Sequence, residues 1–248
     1  MISIWLGNVG SGKTASAVRE LIMNDSGRLT YSNIITKKIS NNRLLSRDMI
    51  IKKEVVGQKK NGDLIYDRKL NIEFWEDLKK SGEALNVIID EAHTLVNPRR
   101  AMSKQNIIMT DWIALLRRIL GSNDAGYGQL IMISQLRRRI DPIAREMSNL
   151  FVYHVCHYTK SCLKCGFGWS ENNETAEPIF KCPKCNSSKI KKHSHILEVW
   201  KFNSEQAYLG WREYSQNTYF AHYYLTDIER VFPHYDTLQW DNLISDYD

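Results

Sequence analysis

The chain has 248 residues, of which 43% are hydrophobic and 25% are charged, with a formal net charge of +6 at pH 7. This composition is typical of a folded protein and excludes wholesale disorder. No apolar run approaches the roughly 18 residues of a membrane-spanning helix, and the N-terminus lacks a signal-peptide pattern, so we expect a cytoplasmic protein without a membrane segment.

The hydrophobic pattern predicts strands that alternate with helices along the chain. The predicted strands are 2–6, 31–36, 86–89, 129–134, 151–157 and 194–202. The predicted helices are 13–24, 72–80 and 107–120, and a hairpin tip is predicted at 59–63. Strands separated by helices indicate parallel βαβ units around a buried sheet, which is an α/β fold.

The turn after the first predicted strand matches the phosphate-binding loop pattern G-x-x-x-x-G-K-[ST] at every fixed position. Backbone N–H groups of such a loop surround the β-phosphate of a nucleotide at the positive end of the next helix. We expect Lys13 to bridge the β- and γ-phosphates of ATP and the Thr14 hydroxyl to ligate Mg²⁺. The predicted nucleotide-binding residues of the loop are Gly7, Asn8, Val9, Gly10, Ser11, Gly12, Lys13 and Thr14.

Two acidic residues follow the apolar strand 86–89. A carboxylate at the end of a parallel strand, beside the phosphate loop, can hold Mg²⁺ through water, and this role suits Asp90. Glu91 then lies where it can polarise the attacking water as a general base. An ordinary strand end with exposed acids has the same pattern, but the phosphate loop favours the functional interpretation. For His93 the sequence favours a structural role.

The next apolar strand, 129–134, runs into Gln135, which we predict to sense the γ-phosphate; a strand that simply enters a polar loop is the alternative. Between residues 99 and 145, nine basic residues stand against three acidic ones. This cluster suits phosphate or nucleic acid, although a solvated helix surface has the same composition. One of these arginines, supplied by a neighbouring subunit, would stabilise the transition state. The candidates are Arg117 and Arg118, then Arg137, Arg138 and Arg139, then Arg99 and Arg100.

Four of the five cysteines have the spacing of a four-cysteine zinc site, Cys-x2-Cys-x16-Cys-x2-Cys. They are Cys162, Cys165, Cys182 and Cys185. Four thiolates saturate tetrahedral Zn²⁺, so the predicted site is structural. Two disulfides are the alternative, which an intracellular location disfavours. The cysteine segment is predicted to be a zinc ribbon inserted at the tip of a hairpin. The fifth cysteine, Cys156, is predicted to be a buried residue that behaves as a small hydrophobic side chain.

With these motifs in place, the chain resembles the FtsK–HerA class of P-loop ATPases, and within it the zonular occludens toxin-like assembly ATPases of phages. The segments that carry the resemblance are 7–14, 31–34, 87–93, 131–135, 139–141 and 232–237. The resemblance implies a RecA-like core formed by 1–158 with 195–248, into which a zinc ribbon (159–194) is inserted. It also implies a ring of subunits, a pentamer or hexamer, that moves or packages DNA or exports virions, with Glu91 as base and Gln135 as sensor.

Two departures from that family affect the expectation. The phage proteins usually continue into a membrane helix and an outer domain, and the zinc ribbon is not part of their common core. Both features favour a DNA-packaging or DNA-handling ATPase in the cytoplasm, that of the host if the protein is viral. A thymidine-type nucleoside kinase is the alternative, because such kinases also combine a phosphate loop, an Asp-Glu strand end and a zinc ribbon. A nucleotide-gated switch without motor function is a third possibility.

Overall fold

The computed structural model describes residues 1–23, 27–82, 85–96, 103–120, 128–175 and 179–240. The strands are β1 (Ile2–Leu6), β2 (Leu29–Ser32), β3 (Ile34–Thr36), β4 (Asn42–Leu44), β5 (Ile51–Gln58), β6 (Leu64–Leu70), β7 (Leu85–Ile89), β8 (Leu130–Ile133), β9 (Leu150–Cys162), β10 (Gly168–Asn172), β11 (Ile190–Phe202), β12 (Ala221–Leu225) and β13 (Tyr235–Trp240). The helices are α1 (Lys13–Ile22), α2 (Arg47–Ile50), α3 (Ile72–Lys80), α4 (Lys104–Leu120), α5 (Pro142–Glu146) and α6 (Glu205–Tyr214).

The main sheet has the strand order β12-β11-β9-β1-β8-β7-β2-β4, and β10 pairs with β9 beside it. Every neighbouring pair from β9 to β4 is parallel. Strands β10, β11 and β12 are antiparallel to their neighbours. The α/β prediction of a mostly parallel sheet flanked by helices is therefore confirmed.

Both faces of the sheet are covered, because successive side chains of a strand point to opposite sides. Ile4 belongs to a core shared with α3, α4 and α6. Trp5, its neighbour, belongs to a second core formed with α1 and a 3₁₀ segment, Ile228–His234. None of the helices in the described segments has the length and apolar character needed to cross a bilayer.

The parallel strands β1, β2, β7 and β8 all end at the same edge of the sheet, which we call the carboxyl edge. The phosphate loop follows β1, Asn33 follows β2, the acidic pair follows β7, and Gln135 lies just after β8. Strand β8 lies between β1 and β7, so Gln135 stands between the phosphate loop and the acidic pair. The topology brings together motifs that are far apart in the sequence.

Several predicted elements differ from the observed ones. The predicted strand 31–36 is divided at Asn33 into β2, in the main sheet, and β3, which pairs with β13. Helix α1 ends at Ile22, and the predicted end at residue 24 lies outside the described residues. Strands β9 and β11 are both longer than predicted and continue into the cysteine segment. The hairpin tip at 59–63 is confirmed, since it joins β5 to β6.

Candidate active site

The phosphate loop depends on backbone conformations that favour glycine. Gly10 and Gly12 have φ angles of +74° and +81°, in the left-handed region. A Cβ atom added to Gly7 would lie 2.5 Å from the carbonyl oxygen of His154. Helix α1 begins at Lys13, directly after the loop. Its unpaired N–H groups and the positive end of its dipole are therefore directed into the phosphate loop.

The Lys13 side chain is buried inside the loop. Its Nζ atom donates hydrogen bonds to the carbonyl oxygens of Gly7 (2.8 Å) and Asn8 (3.0 Å). Burial lowers the pKa of Lys13, while the nearby charges of Asp90 and Glu91 raise it. The loop therefore holds a cation, compensated by two carboxyl groups, where a polyphosphate would bind.

Thr14 and Asp90 form a direct hydrogen bond across the carboxyl edge. The Thr14 hydroxyl donates to Asp90 Oδ2 at 2.7 Å, and the other carboxylate oxygen accepts the Glu91 N–H at 2.9 Å. Burial raises the pKa of Asp90, and the Thr14 hydrogen bond opposes that rise. A hydroxyl and a carboxylate are the hard oxygen donors that Mg²⁺ prefers, so this pair fits the predicted magnesium site.

Asn33 fixes the peptide of Asp90 from the neighbouring strand. Its Oδ1 accepts the Asp90 N–H at 2.7 Å, and its Nδ2 donates to the Asp90 carbonyl at 2.9 Å. The Asn33 side chain is 2% exposed, so both hydrogen bonds are buried. The sequence analysis included Asn33 only as part of a motif and assigned it no role. The available signal was a polar residue in the middle of an otherwise strand-like run.

Glu91 adopts a left-handed backbone conformation, with φ +51°. That conformation is uncommon for a residue with a side chain, and such strain is concentrated at functional sites. Its Oε2 lies 3.1 Å from His93 Nδ1, and its Oε1 accepts a hydrogen bond from Gln135 Nε2 at 3.3 Å. The close approach of the His93 ring is the main cause that lowers the pKa of Glu91. The carboxyl group is therefore ionised at neutral pH and able to accept a proton.

The structure thus gathers Lys13, Thr14, Asp90, Glu91 and Gln135 at one edge of the sheet. Gln135 reaches this group because β8 separates β1 from β7. His93, for which the sequence favoured a structural role, lies beside Glu91, with its Nδ1 3.1 Å from the carboxylate. The individual chemical roles of these residues stay predictions.

A cavity of about 440 Å³ opens at this edge. On one side it is lined by loop residues 9–15 together with Glu91 and Gln135. The other wall of the cavity consists of residues that were not predicted to belong to the site: Cys156, Lys192, His195, Leu197, Ile228, Phe232 and Tyr235. The one sequence signal in this wall was the motif 232–237, which supported the family resemblance but did not predict that these residues lie beside the phosphate loop.

The predicted trans arginines Arg117 and Arg118 are not part of this edge. Both are exposed near the end of α4. Arg117 lines a different cavity, of about 340 Å³, together with Met1 and Ile2 at the start of β1. Within one chain they lie at the opposite edge of the sheet from the phosphate loop, so they could act only on a neighbouring subunit's site.

The other arginine candidates differ in their surroundings. The candidate Arg137 forms an ion pair with Glu205, which also pairs with Arg145, and all three side chains are largely buried. Arg138 and Arg139 are exposed just beyond Gln135. The remaining candidates, Arg99 and Arg100, lie outside the described residues.

The family model of zonular occludens toxin (Zot) matches residues 1–155 of the sequence. The chain belongs to the Zot family. The matched segment contains the phosphate loop, Asn33, the acidic pair and Gln135. A search of curated proteins finds no match to this sequence.

One solved structure agrees with the Zot assignment at the level of the fold. The N-terminal domain of zonular occludens toxin from Neisseria meningitidis has 17% sequence identity and a TM-score of 0.51, covering 95% of this chain and 98% of that chain. The genome packaging NTPase B204 from Sulfolobus turreted icosahedral virus 2 has 18% identity and a TM-score of 0.37, covering 61% of this chain and 74% of that chain. The predicted family resemblance and P-loop NTPase fold are confirmed.

The four predicted zinc ligands of this Zot-family chain come together beyond the matched segment. The Sγ atoms of Cys162, Cys165, Cys182 and Cys185 all lie within 4.8 Å of one another. Two of the separations are 3.5 Å (Cys162–Cys185) and 3.6 Å (Cys165–Cys182). The edge of a tetrahedron with Zn–S bonds of about 2.3 Å is roughly 3.8 Å. The cluster therefore fits Zn²⁺, and the cysteines are free rather than paired in disulfides.

Each cysteine pair forms a tight turn of the same kind. Gly166 and Asn186 follow the two pairs, have φ angles of +72° and +55°, and donate their N–H groups to the backbone carbonyl oxygens of Cys162 and Cys182. Strands β9 and β11 run across both predicted domain boundaries, 158/159 and 194/195. The division into a core and a ribbon stays a prediction.

We expect the purified Zot-family protein to contain one zinc ion per chain. Replacing the buried Cys182 with serine should reduce the zinc content to near zero and lower the melting temperature, because the ribbon loses the ion that joins its two turns. Cys156→Ser is the matched control: Cys156 is also buried but lies outside the cluster, so this variant should keep its zinc. Elemental analysis and thermal unfolding measure both effects, and a wild-type protein without zinc would contradict the assignment.

Proposed function

We propose that this protein is an ATPase that hydrolyses ATP to ADP and phosphate and couples hydrolysis to the movement of DNA or of a virion. The observation that carries the proposal is the connected network at the carboxyl edge. Lys13 lies inside the loop, Thr14 donates a hydrogen bond to Asp90, and Gln135 donates a hydrogen bond to Glu91. A phosphate site, a cation site and an ionised carboxylate therefore adjoin a single cavity.

Each residue has a defined task in this mechanism. The loop N–H groups and Lys13 bind the phosphates and compensate their charge, and Thr14 and Asp90 would hold Mg²⁺, which supplies further positive charge to the phosphates. The oxygen of a water molecule attacks the γ-phosphorus, Glu91 accepts the proton of that water, and the bond to the ADP oxygen breaks. Gln135, in contact with Glu91, positions the water and responds to the γ-phosphate. His93 orients the base.

The coupling to DNA and the ring are also part of the proposal. Family membership and the exposed basic residues support them: Arg138 and Arg139 extend beyond the site, and lysines cover the ribbon. In a pentameric or hexameric ring, Arg117 or Arg118 of one subunit would complete the site of the next. The reduced cysteine cluster is consistent with function in the cytoplasm.

The test is the rate of phosphate release from ATP with Mg²⁺, measured with and without DNA and with thymidine as an alternative acceptor. We expect hydrolysis that DNA stimulates and no thymidine monophosphate. Size-exclusion chromatography in the presence of ATP should show an assembly of five or six chains. Formation of thymidine monophosphate would support a kinase instead, and hydrolysis by strict monomers without a DNA response would contradict the motor.

A further inference from the structure

The cavity at the carboxyl edge is larger than the catalytic residues require. Beyond the phosphate loop it is bounded by β11 and by the 3₁₀ segment Ile228–His234, which pack along α1. None of the residues in this wall takes part in the mechanism above. Their chemistry differs from that of the loop, because most of them supply apolar or aromatic surface, and Lys192 and His195 are the polar members of the wall.

The floor of this part of the cavity is apolar and touches the phosphate loop. Leu197 and Ile228 are buried there, at 1% and 0% exposure. A Cβ atom added to Gly12 would lie 2.5 Å from the Leu197 side chain, so β11 lies directly against the loop. A ligand held by the loop would extend onto this surface.

Two rings form the outer part of the wall. Phe232 is 40% exposed, and the His195 ring stands edge-on to it, with centroids 5.4 Å apart and planes at 79°. Glu229 Oε1 accepts hydrogen bonds from the His195 backbone N–H (3.0 Å) and pairs with Nδ1 (2.9 Å), which fixes the imidazole.

We propose that Phe232, His195, Leu197 and Ile228 form the nucleobase subsite of the nucleotide site. A planar heterocycle fits an apolar floor and two rings held in a fixed orientation, whereas a phosphate chain gains nothing from such a surface. The inference rests on the proposed function, since it assumes that a nucleoside triphosphate binds at the loop. Strand β11 begins at Ile190, which pairs with the zinc ligand Cys162, so the strand that supports the ribbon also forms part of this subsite.

Calorimetric titration of the full chain with ATP and with inorganic tripolyphosphate, both in Mg²⁺, tests the subsite. Phe232→Ala should weaken ATP binding about tenfold, the effect of losing one stacked base, and leave tripolyphosphate affinity unchanged. Phe232→Tyr keeps the flat ring and should bind ATP like the wild type. Phe220→Ala is the control, because Phe220 is also exposed but lies outside the cavity.

Other results would overturn the subsite. ATP affinity within twofold of the wild type in Phe232→Ala would show that the base binds elsewhere. Equal weakening of ATP and tripolyphosphate would show a general disturbance of the loop. Lys13→Ala tests the nucleotide site itself, because this variant should bind neither ATP nor tripolyphosphate. A wild-type protein that binds neither ligand would disprove the nucleotide site together with its subsite.

Discussion

Replacing Glu91 with glutamine is expected to lower the kcat of ATP hydrolysis by about 10²- to 10⁴-fold, the contribution of a general base. Glutamine is nearly isosteric and can keep the contact with Gln135, but it cannot accept a proton from water. The phosphate loop and the Thr14–Asp90 pair are unchanged in this variant, so ATP affinity should stay within about twofold of the wild type.

The experiment pairs steady-state phosphate release with calorimetric ATP binding. Glu73→Gln is the matched control, since Glu73 lies on the exposed side of α3 and forms only a surface ion pair with Lys52. It should have wild-type turnover. A Glu91→Gln variant that retains turnover would exclude Glu91 as the base. A loss of turnover that matches a loss of ATP affinity would assign it to binding instead.

The sequence predicted those parts of the site that are encoded by short, contiguous patterns. The phosphate loop requires glycines at fixed positions because of its left-handed turns, and the cysteine pairs require a fixed spacing to share one metal ion. Asp90 and Glu91 could be recognised because they end a strongly apolar strand. Each of these signals is local, and the loop, the cysteine cluster and the acidic pair lie where their patterns placed them.

The remaining features depend on contacts between distant segments. The cavity wall joins β11 to residues 228–235, and no sequence pattern shows that these segments pack beside residues 9–15. Strands β9 and β11 were predicted too short because their outer parts are polar, mostly half-buried, and lack an apolar alternation. The pairing of Arg137 and Arg145 with Glu205 is also tertiary, so the sequence could not separate these arginines from the exposed ones.

Asn33→Ala is expected to destabilise the fold and to impair hydrolysis together. The substitution leaves the buried N–H and C=O groups of Asp90 without partners, at about 1–3 kcal/mol for each group, so the free energy of unfolding should fall by roughly 3 kcal/mol. Because Asn33 holds the peptide that precedes Glu91, the left-handed conformation of Glu91 loses its support. We therefore expect kcat to be reduced even under conditions in which the variant is fully folded.

Urea denaturation and phosphate release at a temperature where the variant is folded separate the two effects. Asn33→Asp gives a further distinction: its carboxylate can still accept the Asp90 N–H but repels the Asp90 carbonyl oxygen, so it should restore only part of the stability. Asn61→Ala, at the exposed tip of the β5–β6 hairpin, should change neither quantity. If Asn33→Ala unfolds as easily as predicted but keeps full turnover when folded, then Asn33 stabilises the sheet without positioning the acidic pair.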